Sequence, residues 1–305
     1  MVMQLRQLEY FQVVARLENM TRAAEELHIA QPSLSKMMSR LEEEVGVPLF
    51  ERYGRKRLRL NQSGKCFLER IRRSFSELEQ GLSEAKDMAG LEGGSVVIGA
   101  TTSRMLPKLF EGYLVKHRHV KFRLYQVTEQ SEIQERLLNG NIDLCLSSLP
   151  IQQNAIHCDP LMSEEIFLAV PPGHRLSGSD GIKLSEIADE PFIHLTSECG
   201  LREITNEFCR QAGFNANIAF ESNTAEVICS LVKAGFGNAF IPEYWWGGVN
   251  TESLGKLHIN NPVCKRTIWL SWVKDRYLSA ATQDFKIIIH PRCVNFITEI
   301  SNFKR

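Results

Sequence analysis

Along the N-terminal third of the chain the apolar positions recur every three or four residues, the period of amphipathic helices. Leu5 to Leu17 turns Leu8, Phe11 and Val14 or Ala15 to one side. Thr21 to Gly46 reads as two helices joined by a tight turn. Thr21 can cap the first, whose inward face is Ala23, Ala24 and Leu27, and two alanines allow close helix contact. His28, Ile29 and Ala30 make the connection. Pro32 sits one residue inside the second helix, where its fixed φ helps and its missing N–H costs nothing. Leu34, Met38, Leu41 and Val45 form that helix's apolar stripe. At about 100° per residue, Ser33, Lys36 and Arg40 gather roughly a quarter to a third of a turn away from it. Gly46 ends the helix and Pro48 prevents its continuation.

A longer helix is predicted after Asn61, which can cap it. Ile71, Phe75, Leu78, Leu82, Ala85 and Ala89 alternate steps of four and three, a heptad seam. A helix about 40 Å long carries more seam than a small domain can cover, so a second copy of the chain is the expected cover. Packing on its own N-terminal domain is the other reading. Leu91-Glu92-Gly93-Gly94-Ser95 then breaks the helical period and marks a domain boundary.

Beyond it, strands and helices alternate. Strands are predicted at Ser95–Gly99, Lys121–Val127 and Ile142–Leu146, with helices over Arg104–His117 and Ser131–Leu138 between them. This order implies a parallel sheet with helices on its faces. A similar set follows: strands near Ile166–Val170, Phe192–Leu195, Ile218–Glu221 and Asn238–Pro242, with helices near Leu201–Ala212 and Ala225–Ala234. Arg266–Val273 and about Ala280–Phe303 return to strand and helix, with Pro291 breaking the latter. Two α/β lobes of similar pattern imply a cleft between them.

Helix, turn and second helix with polar residues outward is a helix-turn-helix layout. The residues alone leave open an ordinary helical hairpin whose polar face is only solvated. The basic stretch FERYGRKRLRL follows, with no acid between Arg52 and Leu60 and Gly54 in its middle. As a hairpin it is a wing that can meet phosphates; as a plain charge run it is merely solvated. The candidate DNA contacts are Thr21, Arg22, Gln31, Pro32, Ser33, Ser35, Lys36 and Arg40, then Arg52, Arg55, Lys56 and Arg57 in the wing. With 36 basic and 36 acidic residues the net charge is zero, so any DNA affinity is local.

In the α/β half, hydroxyls cluster after strand ends, where helix N-termini offer unpaired amides. Thr101, Thr102 and Ser103 follow the first strand, Thr128 the second, Ser147 and Ser148 the third, and Thr196 and Ser197 the FIHL strand. Together they suit a small molecule such as a carboxylate or another anion, and Arg202 could add positive charge. Singly, each hydroxyl is as readily a helix cap or turn residue, and Arg202 as readily an ion-pair partner. No Gly-rich phosphate loop, nucleophile elbow or paired-carboxylate motif is present, so an enzyme with an appended DNA-binding module is the weaker alternative. The eight cysteines contain no C-x-x-C pair and the eight histidines are scattered, so neither metal nor cofactor is expected. No apolar run of about 18 residues or signal-like start occurs; a cytoplasmic protein is expected.

The stretch from LRQLEYF through RAAEEL, QPSLSK, RLEEEVGVPLFER and LNQSG resembles the winged helix-turn-helix of LysR-type transcriptional regulators. Glu18-Asn19-Met20 departs from that family's usual Gly-Ser-Phe-like turn, and Asn61 replaces a common Thr. VVIGA, LLNGNIDLCLS, FLAVPPGHRL and ICSLVKAGFGNAFIPE are similar to its effector domain, itself like periplasmic binding proteins. The resemblance implies three parts: a DNA-binding domain over 1–60, a dimerising linker helix over 61–90 and a two-lobed effector domain over 91–305. Lobe I would take 91–160 plus 266–305, and lobe II 161–265. It also implies double-stranded DNA with an interrupted inverted repeat, a small-molecule effector, and a homodimer or homotetramer, while leaving activator and repressor open. The stretch holding Cys199 and Cys209 is similar to the region where peroxide-sensing members carry redox cysteines. Cys209 matches the second, but Cys199 is displaced by one residue and Gly200 takes the matching place. The helix between the two cysteines argues against a disulfide.

Overall fold

The computed structural model describes residues 3–53, 57–90, 94–101, 104–111, 113–127, 129–246 and 251–290. The chain divides into two compact units, Met1–Leu82 and Ser83–Arg305.

In the first unit, α1 (Leu5–Leu17), α2 (Met20–Glu26) and α3 (Gln31–Val45) precede an antiparallel hairpin of β1 (Phe50–Tyr53) and β2 (Arg57–Leu60). The core joins Phe11 and Val14 of α1 to Ala23 and Ala24 of α2 and to Leu34, Met38 and Leu41 of α3. The predicted stripes are therefore the packed faces. The cap of α2 is a correction. Asn19, not Thr21, is the N-cap, and its side chain accepts from the amides of Thr21 (3.0 Å) and Arg22 (3.1 Å). Glu18 before it adopts the left-handed conformation, φ 44°, which glycine would adopt more cheaply. Its carboxylate is used in return, accepting from the Leu60 amide at 3.2 Å and so tying the α1–α2 turn to β2.

Helix α4 (Gln62–Met88) is capped by Asn61, which accepts from the Gly64 amide at 2.8 Å and donates to the Pro48 carbonyl at 2.8 Å. Gly64 lies so close to the chain before the wing that a Cβ there would sit 2.1 Å from the Leu49 carbonyl oxygen. Along the seam, Ile71 is buried and Phe75 half-buried against the winged core. Leu78 and Leu82 are 49% and 63% exposed, so the single chain covers only the first part of the seam.

The second unit centres on a mixed sheet. β3 (Gly94–Ala100) runs parallel to β4 (Val120–Gln126) and β5 (Leu144–Ser147), as the alternating pattern predicts. The expected helix after β3 is instead two short ones, α5 (Leu106–Phe110) and α6 (Tyr113–Lys116), because Glu111 takes extended ψ 126° between them. α7 (Gln130–Leu138) precedes β5. β6 (Ile156–Val170) is ten residues longer at its start than the sequence pattern indicates. Pro160 conceals that portion: it cannot donate to the ladder, and the pairing with the last strand shifts register beside it.

β7 (Ile182–Lys183), β8 (Pro191–Leu195), α8 (Gly200–Gln211), β9 (Asn217–Ser222), α9 (Ala225–Lys233) and β10 (Ala239–Pro242) form the second lobe. β11 (Gly255–Leu257) and β12 (Ile259–Asn261) complete it. β13 (Lys265–Val273) then returns antiparallel to β6 and β5. One core gathers Ile98, Leu146, Ile268 and Phe285; another gathers Leu168, Phe192, Phe208 and Ile241. β6 and β13 run alongside each other from one core to the other and are the crossovers between lobes. Helix resumes over residues 280–290, and the expected stretch beyond Pro291 lies outside the described residues.

Candidate functional site

On α3, Gln31, Pro32, Ser33, Lys36 and Arg40 are exposed and Ser35 is half-buried, on the side away from Leu34, Met38 and Leu41. Arg40 donates to Glu44 one turn on, at 3.2 Å. Thr21 and Arg22 are exposed at the start of α2. The chain turns into the wing under control of Glu42, whose carboxylate accepts from the Leu49 (2.7 Å) and Phe50 (3.1 Å) amides. Arg52 and Arg57 lie on β1 and β2, while Arg55 and Lys56 fall outside the described residues. An exposed polar helix face held by a packed hairpin and followed by a basic ribbon fits the major groove and adjoining phosphates.

The second unit contains a cleft of about 210 Å³ at the carboxyl ends of β3, β5 and β8. Thr101, Ser147, Ser148 and Leu149 line one side, and Ser197, Glu198, Cys199, Gly200 and Glu203 the other. Four predicted hydroxyl residues thus meet there. Thr196 does not line it; its amide donates to the Ser222 carbonyl at 3.2 Å. Thr102, Ser103 and Thr128 lie outside the described residues. Arg202 does not reach the cleft. It is buried, donates to the Leu195 carbonyl at 2.8 Å and pairs with Glu221 at 3.0 Å, so its charge is spent within lobe II.

Behind the hydroxyls stands an ion pair that sequence reasoning missed. Arg266 on β13 and Glu164 on β6 are register partners with side chains only 2% exposed, 2.6 Å apart. Arg266 Nη1 also donates to Ser148 Oγ at 2.9 Å, and the Ser148 amide donates to Thr101 Oγ1 at 3.3 Å. The Tyr244 amide donates to the other Glu164 oxygen at 3.1 Å. A fixed charge pair on the two crossover strands therefore holds one wall of the cleft. On the opposite wall, a Cβ on Gly200 would lie 3.1 Å from Leu149 Cδ1; here α8 comes against the other lobe.

Cys199 and Cys209 are both free, and burial pushes the Cys209 thiol up to about 12 despite nearby Arg202. Among the described residues no group of His, Cys, Asp and Glu could hold a metal ion, and no helix is long and apolar enough to cross a membrane.

A winged helix-turn-helix with an open recognition face, followed in the same chain by a two-lobed α/β domain with a polar cleft, defines a ligand-sensing transcription regulator. Residues 5–65 match the family model for the bacterial regulatory helix-turn-helix protein, lysR family, and residues 89–293 that for the LysR substrate binding domain. The HTH-type transcriptional regulator YybE of Bacillus subtilis is 36% identical over 287 residues, 93% of this chain and 97% of that protein. Crystalline full-length CbnR complexed with its target DNA has TM-score 0.74 at 24% identity, covering 95% of this chain and all 100% of that one. The effector-binding domain of QuiR in complex with shikimate has TM-score 0.60 at 23% identity, covering 67% of this chain and 98% of that one. This chain belongs to the LysR family of transcriptional regulators.

Proposed function

We propose that this regulator reads an interrupted inverted repeat in double-stranded DNA as a homodimer or homotetramer, and that a small effector in the 210 Å³ cleft adjusts its hold on that DNA. The division proposed is a DNA-binding domain over 1–60, a dimerising linker over 61–90 and an effector domain over 91–305. Its lobe I is 91–160 plus 266–305 and its lobe II 161–265. Ser33 and Lys36 meet base edges, Arg55 and Arg57 meet phosphates, and Gln31 does either. Thr101, Ser147, Ser148 and Ser197 bind the effector, which is bound and released without turnover. CbnR, solved with its target DNA, and QuiR, solved with shikimate, support the two kinds of partner by likeness of fold.

The observation that carries this reading is the cleft itself: residues from β3, β5 and the start of α8 converge on one polar cavity backed by the Glu164–Arg266 pair. Screening metabolites by thermal shift tests it. A ligand that stabilises the protein, persists unchanged on incubation and alters operator binding is the expected result. Conversion of that ligand to product would favour the enzyme reading instead.

A further inference from the structure

The two walls of the cleft differ in chemistry. On the lobe I side, Thr101 Oγ1 accepts from the Ser148 amide, and Ser148 Oγ accepts from Arg266. With an acceptor site used in each, both hydroxyl protons can be donated into the cleft. The Glu164–Arg266 pair behind that wall fixes Ser148 without adding net charge to it. The lobe II side is acidic: Glu198 and Glu203 both line it. The Glu198 carboxyl is held below the usual carboxylate range by its own backbone amide and the Thr196 and Ser197 hydroxyls, so it is ionised at neutral pH. No Lys, Arg or His is among the described lining residues, and Arg202, the one cation expected here, is turned into lobe II.

A simple carboxylate would find donors on one wall and two like charges on the other. A molecule with an acceptor at one end and an ammonium at the other would match both walls. The cavity is also small beside the roughly 300–1,000 Å³ of sites for drug-sized ligands.

We propose that the effector is a small amine-bearing zwitterion of the amino-acid type. Its ammonium lies against Glu198 and Glu203, and its carboxylate or carbonyl takes the hydroxyls of Thr101 and Ser148. This rests on the cleft being the effector site and narrows the ligand class expected from the hydroxyl pattern alone.

The test uses the purified full chain, with thermal shift followed by calorimetric titration. The probes are the common L-amino acids, their N-acetyl derivatives, and amine-free carboxylates including shikimate. At least one free amino acid should bind, its N-acetyl derivative should bind at least about tenfold more weakly, and Glu203→Gln should weaken the free amino acid by about tenfold. Ser148→Ala should weaken it as well. An amine-free carboxylate that binds best, is weakened by Ser148→Ala and is unaffected or improved by Glu203→Gln overturns the zwitterion while leaving the cleft as the effector site. A best ligand indifferent to both substitutions overturns the cleft reading too. No binding by any free amino acid overturns the proposal. Glu203 is exposed, so its variant tests the idea even if Ser148→Ala unfolds the domain.

Discussion

Asp87, in the last turn of α4, accepts hydrogen bonds from the Tyr277 hydroxyl at 2.6 Å and from the Ala280 amide at 2.8 Å. The hydrogen bond to Asp87 raises the Tyr277 hydroxyl to about 12, so the phenol stays protonated and donating. The end of α4 is thereby fastened to the segment that follows β13, the strand carrying Arg266. Tyr277→Phe removes one of the two donors to Asp87. Effector affinity should stay within about twofold, while the change in operator affinity on adding effector shrinks by about tenfold if this fastening transmits the response. Titrating operator DNA with and without effector checks it; an undiminished response would assign Asp87 and Tyr277 to stability alone.

The two helices of the hairpin are capped unequally, and this predicts opposite effects. Asn19 caps α2 through two backbone amides, whereas Ala30 at the N-cap of α3 offers no side-chain bond. Asn19→Ala should cost about 1 kcal/mol and Ala30→Ser should gain about as much. Chemical denaturation of the full chain, following the transition of the first unit, measures both. No gain from Ala30→Ser would mean that the backbone there already has another partner.

Assembly is best probed where the seam leaves the winged core. Phe75 packs on that core, so charging it would confuse domain stability with dimerisation. Leu82, 63% exposed in the single chain, is the cleaner site. Leu82→Asp should weaken self-association by roughly 2–3 kcal/mol without altering the fold of the first unit. Sedimentation should show monomer at concentrations where the parent chain is dimeric; an unchanged dimer removes Leu82 from the interface.

Lobe II carries a pH-dependent element away from the cleft. His194 is buried among Phe192 and Phe240, its Nε2 has no hydrogen-bond partner among the described residues, and burial together with the nearby Arg202 charge pushes it down to about 3. A folded value below the unfolded one means that its contribution is complete above about pH 6.5 and is lost as pH falls toward 3. Protonation in the unfolded chain is the drain. Between pH 6 and 4 this group should remove about 2 kcal/mol of stability. His194→Phe should flatten the profile by that amount; parallel pH profiles for the two proteins would contradict it.

Much of the architecture was legible because it rests on local periodicity. The stripe of Leu34, Met38 and Leu41, the Pro32 start and the Gly46 stop needed no knowledge of distant residues. The parallel pairing of β3, β4 and β5 followed from alternation alone. What escaped depends on pairings between separated segments. Glu164 and Arg266 look like ordinary surface charges in sequence, and only the register of two crossover strands makes them a buried pair. The first part of β6 was hidden by Pro160 and its bulge. Arg202 was legible as either cleft cation or ion-pair partner, and Glu221, which decides it, lies on a neighbouring strand. The acidic lobe II wall was missed because hydroxyls were counted after strand ends and the carboxylates of Glu198 and Glu203 were not.

The central claim is that α3 reads base sequence, and Lys36 tests it most directly. Duplexes would be selected from a random pool with the purified full chain, and the affinities of selected and random duplexes compared for the parent and Lys36→Ala. Selection should return an interrupted inverted repeat. Lys36→Ala should then lower the ratio of selected to random affinity by about tenfold or more. A pool that yields no motif, or a variant that loses equally on both kinds of DNA, would contradict base reading by this helix.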